Sequence, residues 1–303
     1  MKISVFYAHI LQAAEQTKKA LPKLLCGVKE AGIDAVEMEL FYLENHEETH
    51  ALLKEAELGI SCIYEFYDME NEGEAAKIRN RQKAERHIAM AKRTGAKRIL
   101  VVPGFLEDKE AREMKTCTDY AQMAAFMEQN EKVKRMKAGM EYIVSLGEKE
   151  GVTVTVEDFD DYKSPVSGML GILWFLKNVP GLRYTLDMGN FVYSEEDVLK
   201  GWDLLKEYVA HVHCKDRGED LAVIDGFSRN ASAKAIGLEQ VSSAPLNRGL
   251  LPVAVGEGYM PIAELVAKLK ETGYDGYLAI EHFDANDQEN CMKRSAAFLR
   301  EGV

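Results

Sequence analysis

The stretch EKEGVTVTVED, residues 148–158, sets the pattern for the whole chain. A polar helix end runs into Gly151. A β-rich run follows in which Val152, Val154 and Val156 alternate with Thr153, Thr155 and Glu157. Glycine tolerates the left-handed backbone that closes a helix, where other residues are strained. The same arrangement recurs at EAGIDAVEM (30–38), EAELGISCI (55–63), KRTGAKRILVV (92–102), NVPGLRYTL (178–186) and KETGYDGYLAI (270–280). Gly32, Gly59, Gly95, Gly151, Gly181 and Gly273 are therefore expected to end six helices, each followed by a short strand. Helix alternating with strand this regularly implies βαβ units around a parallel sheet.

Working outward, the N-terminal run ISVFYA and the run YVAHVHCKD bring the strands to eight, near 3–8, 34–40, 60–66, 98–103, 152–158, 183–188, 208–214 and 277–283. Amphipathic segments fill the intervals. One is SEEDVLKGWDLLKEY (194–208), with Ser194 and Asp197 placed as a capping box. The stretch 113–150 is long enough for two helices. Segment 218–256 is the one large irregular connection, a length typical of a lid or substrate loop. No glycine-rich phosphate loop follows the first strand, which argues against an open doubly wound sheet. With no linker or low-complexity segment, the economical reading is α/β in class: one domain over residues 1–303, closed into a single (β/α)8 TIM barrel.

Composition narrows the partners. The chain carries 38 Lys+Arg against 50 Asp+Glu, a net charge of −12 that repels a phosphate backbone. The basic clusters KIRNRQK (77–83) and KVKRMK (132–137) are flanked by acidic residues and read as solvated helix faces, so nucleic acid is not an expected partner. No apolar run approaches the roughly 18 residues of a membrane span. Gln12 and Glu15 interrupt the opening MKISVFYAHI, which reads as a first strand rather than a leader. Five cysteines, widely spaced and without a CxxC pair, fit reduced thiols in a cytoplasmic protein.

Strand parity turns the scaffold into a site. Barrel strands alternate between helix-facing and interior residues. With the valines of 152–156 facing helices, Thr153, Thr155 and Glu157 turn inward. The same reading puts Arg183, Thr185 and Asp187 inside on the sixth strand, and Tyr277, Ala279 and Glu281 inside on the eighth. On the seventh, the polar face carries Val209, His211, His213 and Lys215. Glu157, Asp187, His213 and Glu281 thus meet at the C-terminal mouth. Three converging carboxylates repel one another and take up protons unless a cation sits among them. One divalent metal ion resolves the conflict; the alternative is four separate polar residues in a hydrated mouth. The donor set suits Mn²⁺, Mg²⁺ or Co²⁺ better than a thiolate-bound structural zinc, with manganese the first expectation and Zn²⁺ still admissible. Glu157 and Glu281, from opposite sides of the cluster, are the candidate acid/base pair. Candidates for substrate contact are Lys215, Arg217, and the inward-reading Glu39 and Glu65. Lys215 has the alternative of a salt bridge to a residue such as Glu257, and His211 reads as a core histidine. Tyr7, His9, Phe66 and Phe105 are candidates for an apolar pocket wall.

The order Glu157, Asp187-x-Gly-Asn190, His211-x-His213-x-Lys215-Asp216, Gly256-x-Gly258 and Glu281 resembles the xylose isomerase-like barrels. That superfamily includes sugar phosphate isomerases/epimerases, ketose 3-epimerases, inosose dehydratase and endonuclease IV. The resemblance spans essentially the whole chain. It implies that Glu157, Asp187, His213 and Glu281 hold one metal, and that the two glutamates also move protons. Many relatives carry a histidine where this chain has Asn190, which leaves Asn190 as a candidate substrate contact. Endonuclease IV-like members carry further histidines for a trinuclear zinc cluster. Here His9, His46, His50, His87 and His282 do not fall at the ends of strands two and three, which counts against DNA repair. The implied function is a metal-dependent isomerase or epimerase of a sugar or related polyol. Its expected partner is a small-molecule carbohydrate, with a homo-oligomer formed through helices outside the barrel as in relatives. A dehydratase of the inosose dehydratase type and a non-catalytic sugar-binding barrel are the competing readings.

Overall fold

The computed structural model describes residues 1–44, 47–219 and 250–302. Each of the eight runs forms a strand: β1 (Lys2–Phe6), β2 (Ala35–Glu39), β3 (Gly59–Phe66), β4 (Arg98–Val102), β5 (Thr153–Glu157), β6 (Arg183–Asp187), β7 (Val209–Lys215) and, after a two-stranded ribbon, β10 (Tyr277–Glu281). All neighbours are parallel, and β1 pairs with both β2 and β10, so the sheet closes into a barrel.

Around it in chain order run α1 (Tyr7–Thr17), α2 (Leu21–Glu30), α3 (Leu40–Glu44), α4 (Glu47–Glu55), α5 (Glu74–Thr94) and α6 (Asp108–Met114). They continue with α7 (Tyr120–Gln129), α8 (Glu131–Glu150), α9 (Met169–Asn178), α10 (Val198–Leu205), α11 (Ile262–Glu271) and α12 (Gln288–Gly302). None of these helices is long and apolar enough to cross a membrane. The stretch 113–150 holds α7 and α8 as expected, after the last residues of α6. Both basic clusters are laced into ion pairs, among them Arg79–Asp68 and Lys132–Glu110, as solvated helix faces should be.

Alternation explains the packing. Val154 and Val156 are buried in the apolar layer between sheet and helices. On the opposite face the Thr185 hydroxyl donates to the Thr155 hydroxyl at 2.8 Å, and Thr155 donates to the Ile99 carbonyl at 2.9 Å. These bonds satisfy buried hydroxyls across three adjacent strands.

Five of the six glycines take the left-handed conformation: Gly32, Gly95, Gly151, Gly181 and Gly273, with φ between 67° and 85°. Gly59 does not. Its N–H already pairs with Asp34 in the sheet, so the turn after α4 finishes earlier and Glu57 adopts φ 55° instead. The capping box at 194–197 is also corrected. Asp197 caps α10 alone, through the Leu199 N–H at 2.9 Å, while Ser194 ends a 3-10 turn and donates to the Ser167 carbonyl.

The segment 218–256 is not irregular at its ends. There β8 (Arg217–Glu219) pairs antiparallel with β9 (Leu250–Pro252). Asp216 ties down the base of this ribbon, accepting from the N–H groups of Arg217, Gly256, Gly258 and Met260. A Cβ at Gly258 would lie 2.2 Å from the Asp216 carboxylate, which accounts for the second glycine of Gly-x-Gly. Residues 220–249, on which the expectation of a substrate loop mainly falls, lie outside the described residues, as does His46.

Candidate metal centre

Each strand of one half-barrel delivers one candidate ligand to the mouth. Asp187 and His213 are cross-strand neighbours on β6 and β7, while Glu157 and Glu281 close the last positions of β5 and β10. All four are buried, and one ligating atom from each lies within 4.8 Å of the others. His213 Nδ1 stands 3.1 Å from Glu157, 3.2 Å from Glu281 and 3.8 Å from Asp187. Yet these contacts lack hydrogen-bond alignment, and both His213 Nδ1 and Asp187 Oδ2 are buried without a hydrogen-bond partner among the described residues. Buried polar atoms are nearly always satisfied. Three carboxylates and one imidazole nitrogen that converge without bonding one another fit a divalent cation with oxygen-rich coordination.

One residue of this centre was not identified from the sequence. Glu37 on β2 is fully buried and accepts from His211 Nε2 at 2.7 Å and His213 Nε2 at 3.1 Å. Burial opposes its ionisation, but the two imidazoles hold its pKa down to about 2. An ionised carboxylate only accepts, so each Nε2 carries the hydrogen. His213 Nδ1 is then the nitrogen that faces the mouth, a division commonly imposed on metal-binding histidines by a carboxylate behind them. The parity that turns Glu39 inward also turns Glu37 inward. An inward carboxylate one layer down needs a donor, and the inward histidines of β7 were the visible candidates. Cys62 approaches the same carboxylate, and Glu37, Cys62 and His211 also converge within 4.8 Å. Burial pushes the Cys62 thiol well above its usual pKa, and both Glu37 oxygens are already engaged, so this trio reads as packing.

The electrostatics of the mouth are lopsided. Burial would push the Glu281 carboxyl up, but Lys215 and His213 hold it well below the usual range. Lys215 Nζ lies 2.6 Å from Glu281, 3.2 Å from Asp160 and 3.8 Å from Asp187. Among the described residues no Lys or Arg pairs with Glu157. Burial pushes its pKa up to about 7 despite His213. Burial likewise raises Asp187, against the pull of Lys215. His213 itself is raised well above its usual pKa, because Glu37 and the three mouth carboxylates outweigh burial.

The remaining sequence candidates separate. Asn190 is buried, donates to the Asp158 carbonyl at 2.7 Å, and leaves Oδ1 without a partner. Lys215 pairs inside the mouth and not with Glu257, which binds Arg294 at 2.6 Å. Arg217 is buried with its guanidinium 5.1 Å from the Tyr193 ring centre. Glu39 is half-buried, its carboxyl raised by burial and then by Glu65. Glu65 corrects the parity reading: Tyr64 and Phe66 face the cavity, whereas Glu65 pairs with Lys83 of α5 at 3.1 Å. Tyr7 and His9 are buried away from the cavity lining: Tyr7 packs on Tyr42, and His9 stacks on His282. Phe105 packs on Phe159.

Beside the four ligand candidates lies a cavity of about 260 Å³, near the lower end of the range for small-molecule sites. Glu157, Asp160, Asn190, Lys215 and Glu281 line one side. Phe6, Tyr64, Phe66, Leu100 and Val102 line the other, and Phe159 and Phe283 also border the cavity.

A barrel closed by eight parallel strands, with carboxylates and a histidine at its C-terminal mouth, defines the class of protein. The chain belongs to the xylose isomerase-like TIM barrel family, whose profile matches residues 27–302. No curated protein sequence matches it. Solved structures similar to it include D-allulose 3-epimerase from Methylomonas sp., at 15% identity and a TM-score of 0.68, covering 100% of this chain and 98% of that one. Another is the probable 3-DHS dehydratase AsbF of Bacillus anthracis, at 17% identity and TM-score 0.66, with 99% of both chains covered. A third is 3-keto-D-glucoside 4-epimerase of E. coli, at 17% identity and TM-score 0.61, with 90% and 91% covered. At these identities the likeness is one of fold.

Proposed function

We propose that the protein is a divalent-metal-dependent isomerase or epimerase of a sugar or related polyol, acting on a C–H bond next to a carbonyl. The observation that carries this reading is the convergence of Glu157, Asp187, His213 and Glu281 within 4.8 Å beside a cavity of small-molecule size. These four residues would hold the ion. When bound, such an ion polarises a carbonyl and acidifies the adjacent C–H. Asp187 and His213 serve as ligands only, and Glu37 fixes the His213 ring. Glu157 and Glu281 reach the cavity from β5 and β10 and would each offer a carboxyl group to the substrate. Lys215 keeps Glu281 charged, so Glu281 removes the proton. Glu157 returns a proton that reaches it from solvent, and Glu281 releases the one it took to solvent. Asn190 Oδ1 and the Lys215 ammonium, both lining the cavity, would bind substrate hydroxyls. Manganese suits the oxygen-rich donor set.

One feature favours a second reading, a dehydratase. The Lys215 ammonium is a charged hydrogen-bond donor beside the base, and a departing β-hydroxyl is stabilised by one. Product analysis separates the two. The test is to assay the metal content of purified protein and then follow ketoses, inososes and keto-glycosides by NMR in D₂O. Deuterium entry next to a carbonyl without loss of water supports an isomerase or epimerase, and entry with loss of water supports the dehydratase. Metal-free protein that exchanges no proton in any of these compounds overturns both.

A further inference from the structure

We infer that a cavity between α5 and α8, outside the barrel strands, binds a small hydroxylated organic anion: a carboxylate on a short apolar carbon body. The two basic clusters of the sequence supply its charge. Every lysine of those clusters, and Arg79, pairs with a carboxylate. Arg81 and Arg135 form no ion pair among the described residues, and both line this one cavity of about 160 Å³. It shares no lining residue with the cavity at the mouth, so the inference stands apart from the function proposed above.

Both helices and the loop after β3 build the site. A Cβ at Gly139 would lie 2.6 Å from Met69 Sδ, so the glycine lets Met69 seat against α8. Met69, Ala84 and Ala138 make the apolar part of the lining. Arg135 Nε donates to the Glu70 carbonyl at 2.7 Å, which anchors the side chain, while its terminal nitrogens donate to no oxygen among the described residues. The Arg81 guanidinium lies 5.6 Å from the centre of the Tyr142 ring and likewise has no oxygen partner there. Asn80 Oδ1, from the same lining, is buried and accepts no hydrogen bond from the described residues. Each guanidinium is a planar fork that matches a carboxylate. Inorganic phosphate would set its remaining oxygens against Met69 and Ala84, which offer no hydrogen bond in return. A carbon chain fills that part without such a cost, and a hydroxyl on it supplies the donor that Asn80 Oδ1 lacks.

Butyrate, 3-hydroxybutyrate, butanol and inorganic phosphate, offered to Mg²⁺-supplied protein with carbon-13 methionine methyl groups, test this by NMR. The Met69 methyl, assigned through Met69→Leu, should shift saturably with 3-hydroxybutyrate and less readily with butyrate. Butanol and phosphate should each bind about ten-fold or more weaker, since each lacks one half of the match. Arg81→Gln and Arg135→Gln should weaken 3-hydroxybutyrate about ten-fold or more, the scale of a hydrogen bond to a charged group. Arg79→Gln, exposed and outside the lining, should leave the affinity unchanged. An unaltered amide spectrum verifies the fold of each variant, and Arg81→Gln, at an exposed position, keeps the test decisive if Arg135→Gln misfolds. The absence of a saturable shift at Met69, butyrate or phosphate bound as tightly as 3-hydroxybutyrate, or equal affinities in Arg81→Gln and Arg79→Gln overturns the inference. Any of these results leaves the proposed function at the mouth standing.

Discussion

The two halves of the barrel are built on the same strand geometry and end differently at the mouth. Strands β5, β6, β7 and β10 deliver Glu157, Asp187, His213, Lys215 and Glu281, nearly all of the charge around the cavity. Strands β1, β3 and β4 deliver Phe6, Tyr64, Phe66, Leu100 and Val102. The lesson is that the charged half does not stand alone. Its histidine is held from behind by Glu37, which comes from β2 in the other half. The apolar half therefore supplies both the wall of the pocket and the buried carboxylate that fixes the mouth-facing His213 ring.

The largest effect should come from the charged half. Asp187→Asn removes a buried ligand oxygen and should weaken Mn²⁺ binding about 100-fold or more, since even residues behind the ligands account for roughly ten- to hundred-fold. Titration calorimetry checks this, and undiminished affinity would break the assignment of that half. Next comes Glu37→Gln, expected to weaken the metal about ten- to hundred-fold without altering the far-UV spectrum. Its distinctive readout is the nitrogen-15 shift of the His213 ring, which should show loss of the fixed tautomer. Unchanged ring shifts would show that Glu37 merely packs.

A smaller effect follows from pH. Without a cation, His213 is raised well above its usual pKa and Glu157 to about 7, so both hold protons near neutrality that the ion must displace. Affinity should therefore fall as pH drops from 7 to 6, by up to about ten-fold per displaced proton. Calorimetry in buffers of different ionisation enthalpy should register proton release, and none would contradict the picture of a proton standing in for the cation. The smallest effect belongs to the apolar half. Val102→Ser should cost about 1–3 kcal/mol of stability from a buried site and leave Mn²⁺ affinity unchanged. A loss of metal there would blur the division between the halves.

Much of this was legible in the sequence because it is periodic. The glycine-then-strand pattern located six barrel strands, the runs ISVFYA and YVAHVHCKD gave the other two, and parity brought Glu157, Asp187, His213 and Glu281 to one face. The failures are equally physical. Parity on β3 slipped by one residue, turning Glu65 inward on paper; the pairing of β2 and β3 shifts register between Val36 and Glu37, so neighbouring strands do not share a simple phase. Gly59 broke the glycine rule because the sheet had already claimed its N–H. Glu37 lies 174 and 176 residues from the histidines it binds, a partnership no local pattern encodes. The aromatic wall was legible only in part: Phe66 was read as a wall residue, whereas Phe6 of β1 meets the rings of β3 only when the barrel closes.

The measurement that bears most directly on this account is the Mn²⁺ stoichiometry of protein first stripped with chelator, read by calorimetry and by elemental analysis after gel filtration. One ion per chain, bound with proton release and lost in Asp187→Asn, is the predicted result. No retained ion, or an ion bound equally well by the Asp187→Asn protein, would contradict it.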